Sequence, residues 1–394
     1  MAYAASLSQN PVTTAAVQAV CEEIAVGLNG GTPNLAFLFV GSHHVDRLAP
    51  ILNKVTETLR PDTLLACTTE AVACVGTEVE SGVSLAMWAA TLPGAIIEPF
   101  HVVFENTPDG VVCDGLPDPP PEISDVRAIL LLGDPFSCPI HELIERLANE
   151  FPGVPLLGGM SSFWRRQSDP KLGLNNGVKP RGAVGAIIRG GPRIRTVVSQ
   201  GCRPIGNSFV VTKAEKNIIL DLGGRAALTR LEQTYTELSE RDRLLIRDGL
   251  HVGIAIDEYK DHFSRGDFLI SNVISADKET GAITIGNLVR AGQTVQFHIR
   301  DAEAAAEDLR VLLSRQSSER SAGGGALLFS CNGRGTRLFP TPNHDAALVQ
   351  ELCGPLPLAG FFARGELGPI GRRNFIHGFT ASIALFDDDS AVES

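Results

Sequence analysis

Apolar residues in this chain follow two spacings. Residues 13–29 carry Val17, Val20, Cys21, Ile24 and Leu28 on one helical stripe, which Thr13 or Thr14 can cap and Gly30-Gly31 ends. Residues 35–40 are apolar at every position, as in a strand covered on both faces. A helix is predicted over 45–59 and is broken by Pro61. A strand over 63–67 then ends in the polar turn Thr68-Thr-Glu70, and further strands are expected near 83–91 and 96–105.

After a loop rich in proline and aspartate at 106–125, the order of elements begins again. The apolar run 127–132 leads into Gly133-Asp134, a helix over 139–150 carries Ile140, Leu143, Ile144 and Leu147, and strands follow at 154–159 and 182–189. The order recurs from Ala326-Leu-Leu-Phe-Ser330 through a helix at 344–353 and a run at 356–362 to residues 374–386. The chain therefore reads as three copies of one β-α-β-β unit: first strands at 35–40, 128–132 and 326–329, second strands at 64–67, 155–159 and 357–361. Between the second and third copies lie a hairpin at 209–220, a helix at 225–238, strands near 251–256, 268–274, 283–285 and 295–298, and a helix capped by Asp301. Residues 315–325 are the most linker-like stretch. The fold class is α/β (α+β), with mixed, covered sheets flanked by helices in two domains, 1–190 and 191–394, divided at Gly190-Gly191-Pro192.

Composition narrows the functional classes. At 394 residues with 44% hydrophobic and 20% charged content, the chain is ordinary globular material. A net charge of -11 disfavours a nucleic-acid partner, and Arg165-Arg166 and Arg372-Arg373 are only pairs. Eight cysteines without a Cys-x-x-Cys fit a reducing cytoplasm rather than a disulfide or zinc framework. No basic residue precedes Arg47, so no secretory signal is expected, and no apolar run is long enough for membrane insertion. His43-His44 has no spaced carboxylate partner and is not read as a metal site.

Chemistry concentrates in the third copy. Cys331 opens a glycine-containing loop after an apolar strand, and it reads either as a nucleophile or as a small buried thiol. His377 and Glu366 could complete a thiol triad with it. Gly333-Arg-Gly335 lacks the third glycine of a dinucleotide fingerprint, so no cofactor is expected. Arg334, Arg364, Glu366 and Asn374 form a recognition set: arginine grips a carboxylate and glutamate accepts an ammonium, the two charges of a free amino acid. Asn332 either joins that set or caps a turn, and Cys202-Arg203 either walls the site or marks a hinge.

The motifs Gly201-Cys-Arg-Pro-Ile-Gly206, Phe297-His-Ile-Arg-Asp301, Phe329-Ser-Cys-Asn-Gly-Arg-Gly335 and Gly360-Phe-Phe-Ala-Arg-Gly-Glu-Leu-Gly-Pro369 together resemble the FIST family. In the N-terminal half Ala66 and Ala71 stand where that family often has glycine. The resemblance implies an intracellular, non-enzymatic sensory module for small ligands such as amino acids, with FIST N- and C-terminal domains. Few residues remain for an attached output domain, so the signal would pass to a separate output protein. The competing readings are a cysteine-dependent hydrolase or transferase centred on Cys331, and a protein-interaction scaffold.

Overall fold

The computed structural model describes residues 1–108, 110–163, 170–260, 262–263, 265–317 and 323–387. Arg165 and Arg166 and the middle of the 315–325 stretch lie outside them. The chain forms two compact units that do not follow chain order: 1–198 with 309–376 and 380–394, and 199–308 with 377–379. All three copies of the repeat fold into the first unit.

In each copy the middle strand pairs in parallel with the next, Leu35–Gly41 with Thr63–Thr69, Val126–Gly133 with Leu156–Met160, and Gly325–Cys331 with Leu358–Ala363. An antiparallel strand flanks the other side: Leu85–Thr91, Ala183–Gly190 or Thr380–Phe386. Apolar character at every position has a direct cause here. Leu35, Phe37 and Phe39 enter one core, while Ala36, Leu38 and Val40 pack under the helices Thr13–Gly27 and Leu48–Leu59. Leu130 and Leu132 from the second copy and Leu327 and Phe329 from the third join the same shared core. Their alternates, Ile129 with Leu131 and Ala326 with Leu328, face separate helix-covered cores.

Each sheet is completed by a hairpin from another copy. The first copy donates Val72–Cys74 and Thr77–Val79 to the third, where Val72 and Cys74 register with Phe361 and Ala359. The second donates Leu172–Leu174 and Gly177–Lys179 to the first, where Leu172 sits opposite Cys67. The third donates Glu366–Ile370 and Arg373–His377 to the second, with Glu366 opposite Gly159. The exchange runs in a closed cycle.

The second unit is a ring of antiparallel strands in the order Cys202–Glu215, Thr294–Arg300, Leu250–Ala255, Phe268–Ala276, Ile283–Ile285 and Ile218–Leu222, closed by pairing of the last with the first. Val211, Val252, Ile283, Val295 and Phe297 fill it.

Several local expectations are corrected. Ala2–Ser8 is an edge strand that the sequence reading missed; the helix expected over 225–238 forms as Ala227–Glu237, and a further helix, Glu240–Asp248, follows it unforeseen. Neither Thr13 nor Thr14 caps the first helix; Val12 holds that position, and the Thr13 hydroxyl instead meets His44 Nδ1 at 3.0 Å. Asp301 does cap its helix, accepting from the N–H of Ala304 at 3.2 Å.

Gly360 stands opposite Leu328 on the paired parallel strands of the third copy. A Cβ there would meet the Leu328 carbonyl oxygen at 1.8 Å, backbone that cannot yield without breaking the strand pair. Gly360→Ala is expected to destabilise the protein by about 2 kcal/mol or more in urea unfolding, whereas Gly371→Ser, with open space at its Cβ, should cost about 1 kcal/mol from its positive φ alone.

Candidate functional site

The loops after Cys331 and Ala363 leave neighbouring parallel strands at the same end of the third sheet. Their backbones stay joined, because the Asn332 N–H donates to the Ala363 carbonyl at 2.9 Å. The Cys331 thiol donates to Asn332 Oδ1 at 3.9 Å, and its sulfur accepts the Gly333 N–H at 3.4 Å. Glu366 is fully buried; its Oε2 accepts from the Thr380 N–H at 3.2 Å. Its Oε1 has no hydrogen-bond partner among the described residues.

Arg334 is equally buried, and its planar fork is already filled. Nε and Nη2 donate to the two oxygens of Asp345 at 2.6 and 2.8 Å, and the guanidinium lies over Phe339, 5.1 Å from the ring centroid. Ser330 Oγ donates to Asp345 at 2.8 Å, and His344 Nδ1 lies 3.0 Å from the same carboxylate. The donated hairpin brings in a further acid. Glu78 accepts the Ala346 N–H at the start of the His344–Cys353 helix at 2.9 Å, leaving its second oxygen without a partner among the described residues. Glu80, on the same segment, accepts from both the N–H and the hydroxyl of Thr336 at 2.8 Å.

One buried guanidinium faces several buried carboxyls, and the charge follows the contacts. Burial works to raise the Asp345 carboxyl, but the Arg334 guanidinium and its hydrogen bonds hold it well below the usual carboxylate range. Burial, and then the charge on Asp345, push Glu78 up to about 7. Burial lifts Glu366 well above its ordinary value, which the Thr380 N–H, the Cys331 thiol and Arg334 only partly offset. Asp345 is therefore held toward its ionised form, and burial holds Glu366 toward its protonated form.

The structure thus brings Cys331, Arg334 and Glu366 together, with Asn332 beside them; its carbonyl accepts from Arg337 at 2.8 Å. Arg364 is exposed, with its guanidinium 5.3 Å from the Phe136 ring centroid. Asn374 is committed to backbone, accepting from the Leu156 N–H at 2.9 Å and donating to the Val154 carbonyl at 2.8 Å. Cys202, Arg203 and His377 belong to the second unit. There Cys202 is buried, and Arg203 is ion-paired to Asp301 at 2.7 Å and also to Asp242. Sequence reasoning missed Ser330, Asp345 and Glu78. Asp345 could have been flagged as the acid in the first turn of a predicted helix close to Arg334.

A FIST N domain family model matches residues 34–225, and a FIST C domain model matches 227–369. The chain belongs to the FIST family, whose domains are sensory domains of signal transduction. An uncharacterised protein of Mycobacterium tuberculosis is 41% identical over 362 residues, covering 92% of this chain and 93% of that protein. Another, from Mycobacterium bovis, is 41% identical over 365 residues, covering 92% of each chain.

Removing the guanidinium strands Asp345 as a buried, uncompensated charge. Arg334→Leu should cost about 3–5 kcal/mol in chemical denaturation, and adding Asp345→Asn should recover a measurable part of that loss. The pH dependence has a definite sign. Folded Glu78 holds its proton more tightly than the unfolded chain, so its contribution favours folding at low pH and declines as pH rises from 4.5 to about 7. Glu366 acts in the same direction, and Asp345 opposes both only at lower pH, where its own carboxylate is protonated. Stability profiles of wild type and Glu78→Gln across that window should show a shallower decline in the variant.

Proposed function

We propose that the chain is a ligand-binding sensory module that takes up a small molecule carrying an ammonium group, amino acids being the first class to test, at Glu366 and Cys331. The observation that carries this reading is the buried Glu366 carboxyl with one oxygen unpartnered among the described residues. Such an orphan is costly to keep and is what a ligand donor would satisfy. Arg334 is a scaffold in this reading rather than the carboxylate clamp, because Asp345 already fills its fork. Arg364, exposed one residue from Gly365, is the available cation for a ligand carboxylate. The output passes through a separate protein, and the protein acts in the cytoplasm.

Binding an ammonium ion requires Glu366 to give up its proton. Titration calorimetry with the common amino acids should therefore show a binding enthalpy that changes with the ionisation enthalpy of the buffer, and affinity that rises with pH. Glu366→Gln should weaken binding by about tenfold or more. Failure of every amino acid and small amine to bind the folded protein would refute this reading. A competing cysteine chemistry rests on Cys331 standing at the head of the same loop, in the cluster that holds Glu366. It requires Cys331→Ser to abolish turnover, while the sensory reading requires that variant to keep most of its affinity.

A further inference from the structure

Away from that cluster, the first unit carries a polar cleft of about 330 Å³ lined by Arg193, Arg195, Arg372, Gln316, Gly153 and Asn374. Its size is at the small end of the range of small-molecule sites, about 300–1,000 Å³. Arg195 and Arg193 come from the edge strand Ile194–Gln200 and the turn before it, and Arg372 from the turn of the donated hairpin. Gly153 leaves room for Arg372: a Cβ at that position would press on its guanidinium at 3.0 Å.

These groups are not equally spent. Arg195 is 5% exposed, donates from Nη2 to Asp387 at 2.7 Å and from Nη1 to the Gln316 carbonyl, yet its Nε–H has no partner among the described residues. Arg193 and Arg372, both exposed, have no ion-pair partner among the described residues. Gln316 adds a buried side-chain oxygen, also unpartnered among the described residues. A buried donor and two cations without partners among the described residues call for an anion, and an acceptor likewise unpartnered calls for a hydroxyl. Three guanidiniums from two segments suit the three terminal oxygens of a phosphate better than the two oxygens of a carboxylate.

We infer that this cleft binds a small phosphate monoester bearing hydroxyl groups, held by Arg193, Arg372 and the Nε–H of Arg195, with Gln316 accepting from a hydroxyl. The inference does not depend on the reading of Glu366.

Calorimetry with ribose 5-phosphate, inorganic phosphate, ribose and tartrate tests it. Ribose 5-phosphate should bind more tightly than inorganic phosphate, and ribose should not bind. Arg193→Ala with Arg372→Ala should weaken ribose 5-phosphate binding by about tenfold or more without changing the melting temperature of the free protein, and Arg372→Gln alone should weaken it less. Should the double variant lose its fold, a wild-type affinity for ribose 5-phosphate indifferent to salt would overturn the inference. So would tartrate binding more tightly than ribose 5-phosphate, undiminished binding in a folded double variant, or no phosphate binding at about 10 mM ligand.

Discussion

A parallel strand pair ends in an open edge, and an open edge of backbone N–H and C=O groups is a liability unless something pairs with it. In the first unit each such edge is closed by a short hairpin from another copy of the repeat, in a cycle that returns to its start. The hairpin strands are too short to persist alone; Val72–Cys74 and Leu172–Leu174 hold three residues each. They exist because the receiving sheet supplies their partners. No copy is complete without another, so the three should unfold as one cooperative body. The shared core filled by Phe37, Phe39, Leu130, Phe329 and Phe361 reinforces this, since each copy contributes alternate residues of its strands to it.

The exchange also assembles the polar cluster. Glu78 and Glu80 arrive from the first copy on the hairpin donated to the third, while Arg334, Asp345 and Glu366 are native to the third. Charge is then distributed by proximity. Asp345 has the two-point contact with the guanidinium and takes the ionised form. Glu78 and Glu366 have weaker claims on the same cation, and burial shifts both toward the protonated form. A buried ion pair of this kind adds little stability over an apolar substitute, but breaking one half of it is costly, so it fixes geometry more than it adds free energy.

Much of the first unit was legible in the chain because its signal is local. Runs such as 35–40 and 326–329 are apolar throughout because both faces are covered, and their order with the helices at 140–150 and 344–353 exposes the repeat. The hairpin exchange left no such trace, since pairing between Phe361 and Val72 is a matter of topology and not of sequence spacing. The Glu240–Asp248 helix was missed because its sequence, Glu-Arg-Asp-Arg-Leu-Leu-Ile-Arg-Asp, has too little apolar stripe to declare itself. Within the cluster, residue type singled out Arg334 and Glu366 as members of a recognition set, but spacing could not tell that both would be buried or that Asp345 would consume the guanidinium. Asn374 shows the same limit from the other side: a polar residue near glycines was serving the backbone of Val154 and Leu156.

The position of Glu366 gives the proposed sensing a mechanical consequence. Glu366 opens the strand that the third copy lends to the second, and it stands in register with Gly159 across that junction. A neutral carboxyl there asks little of its surroundings, whereas an ionised one demands donors and a counter-charge. A ligand ammonium would supply that counter-charge, and in doing so change the electrostatics at the seam between two copies. A ligand shifts a conformational equilibrium only by its differential affinity for the two states. Converting a buried neutral acid to a paired carboxylate is a large local difference placed where strand exchange couples the copies. A surface carboxylate, ionised before and after binding, would have little to transmit.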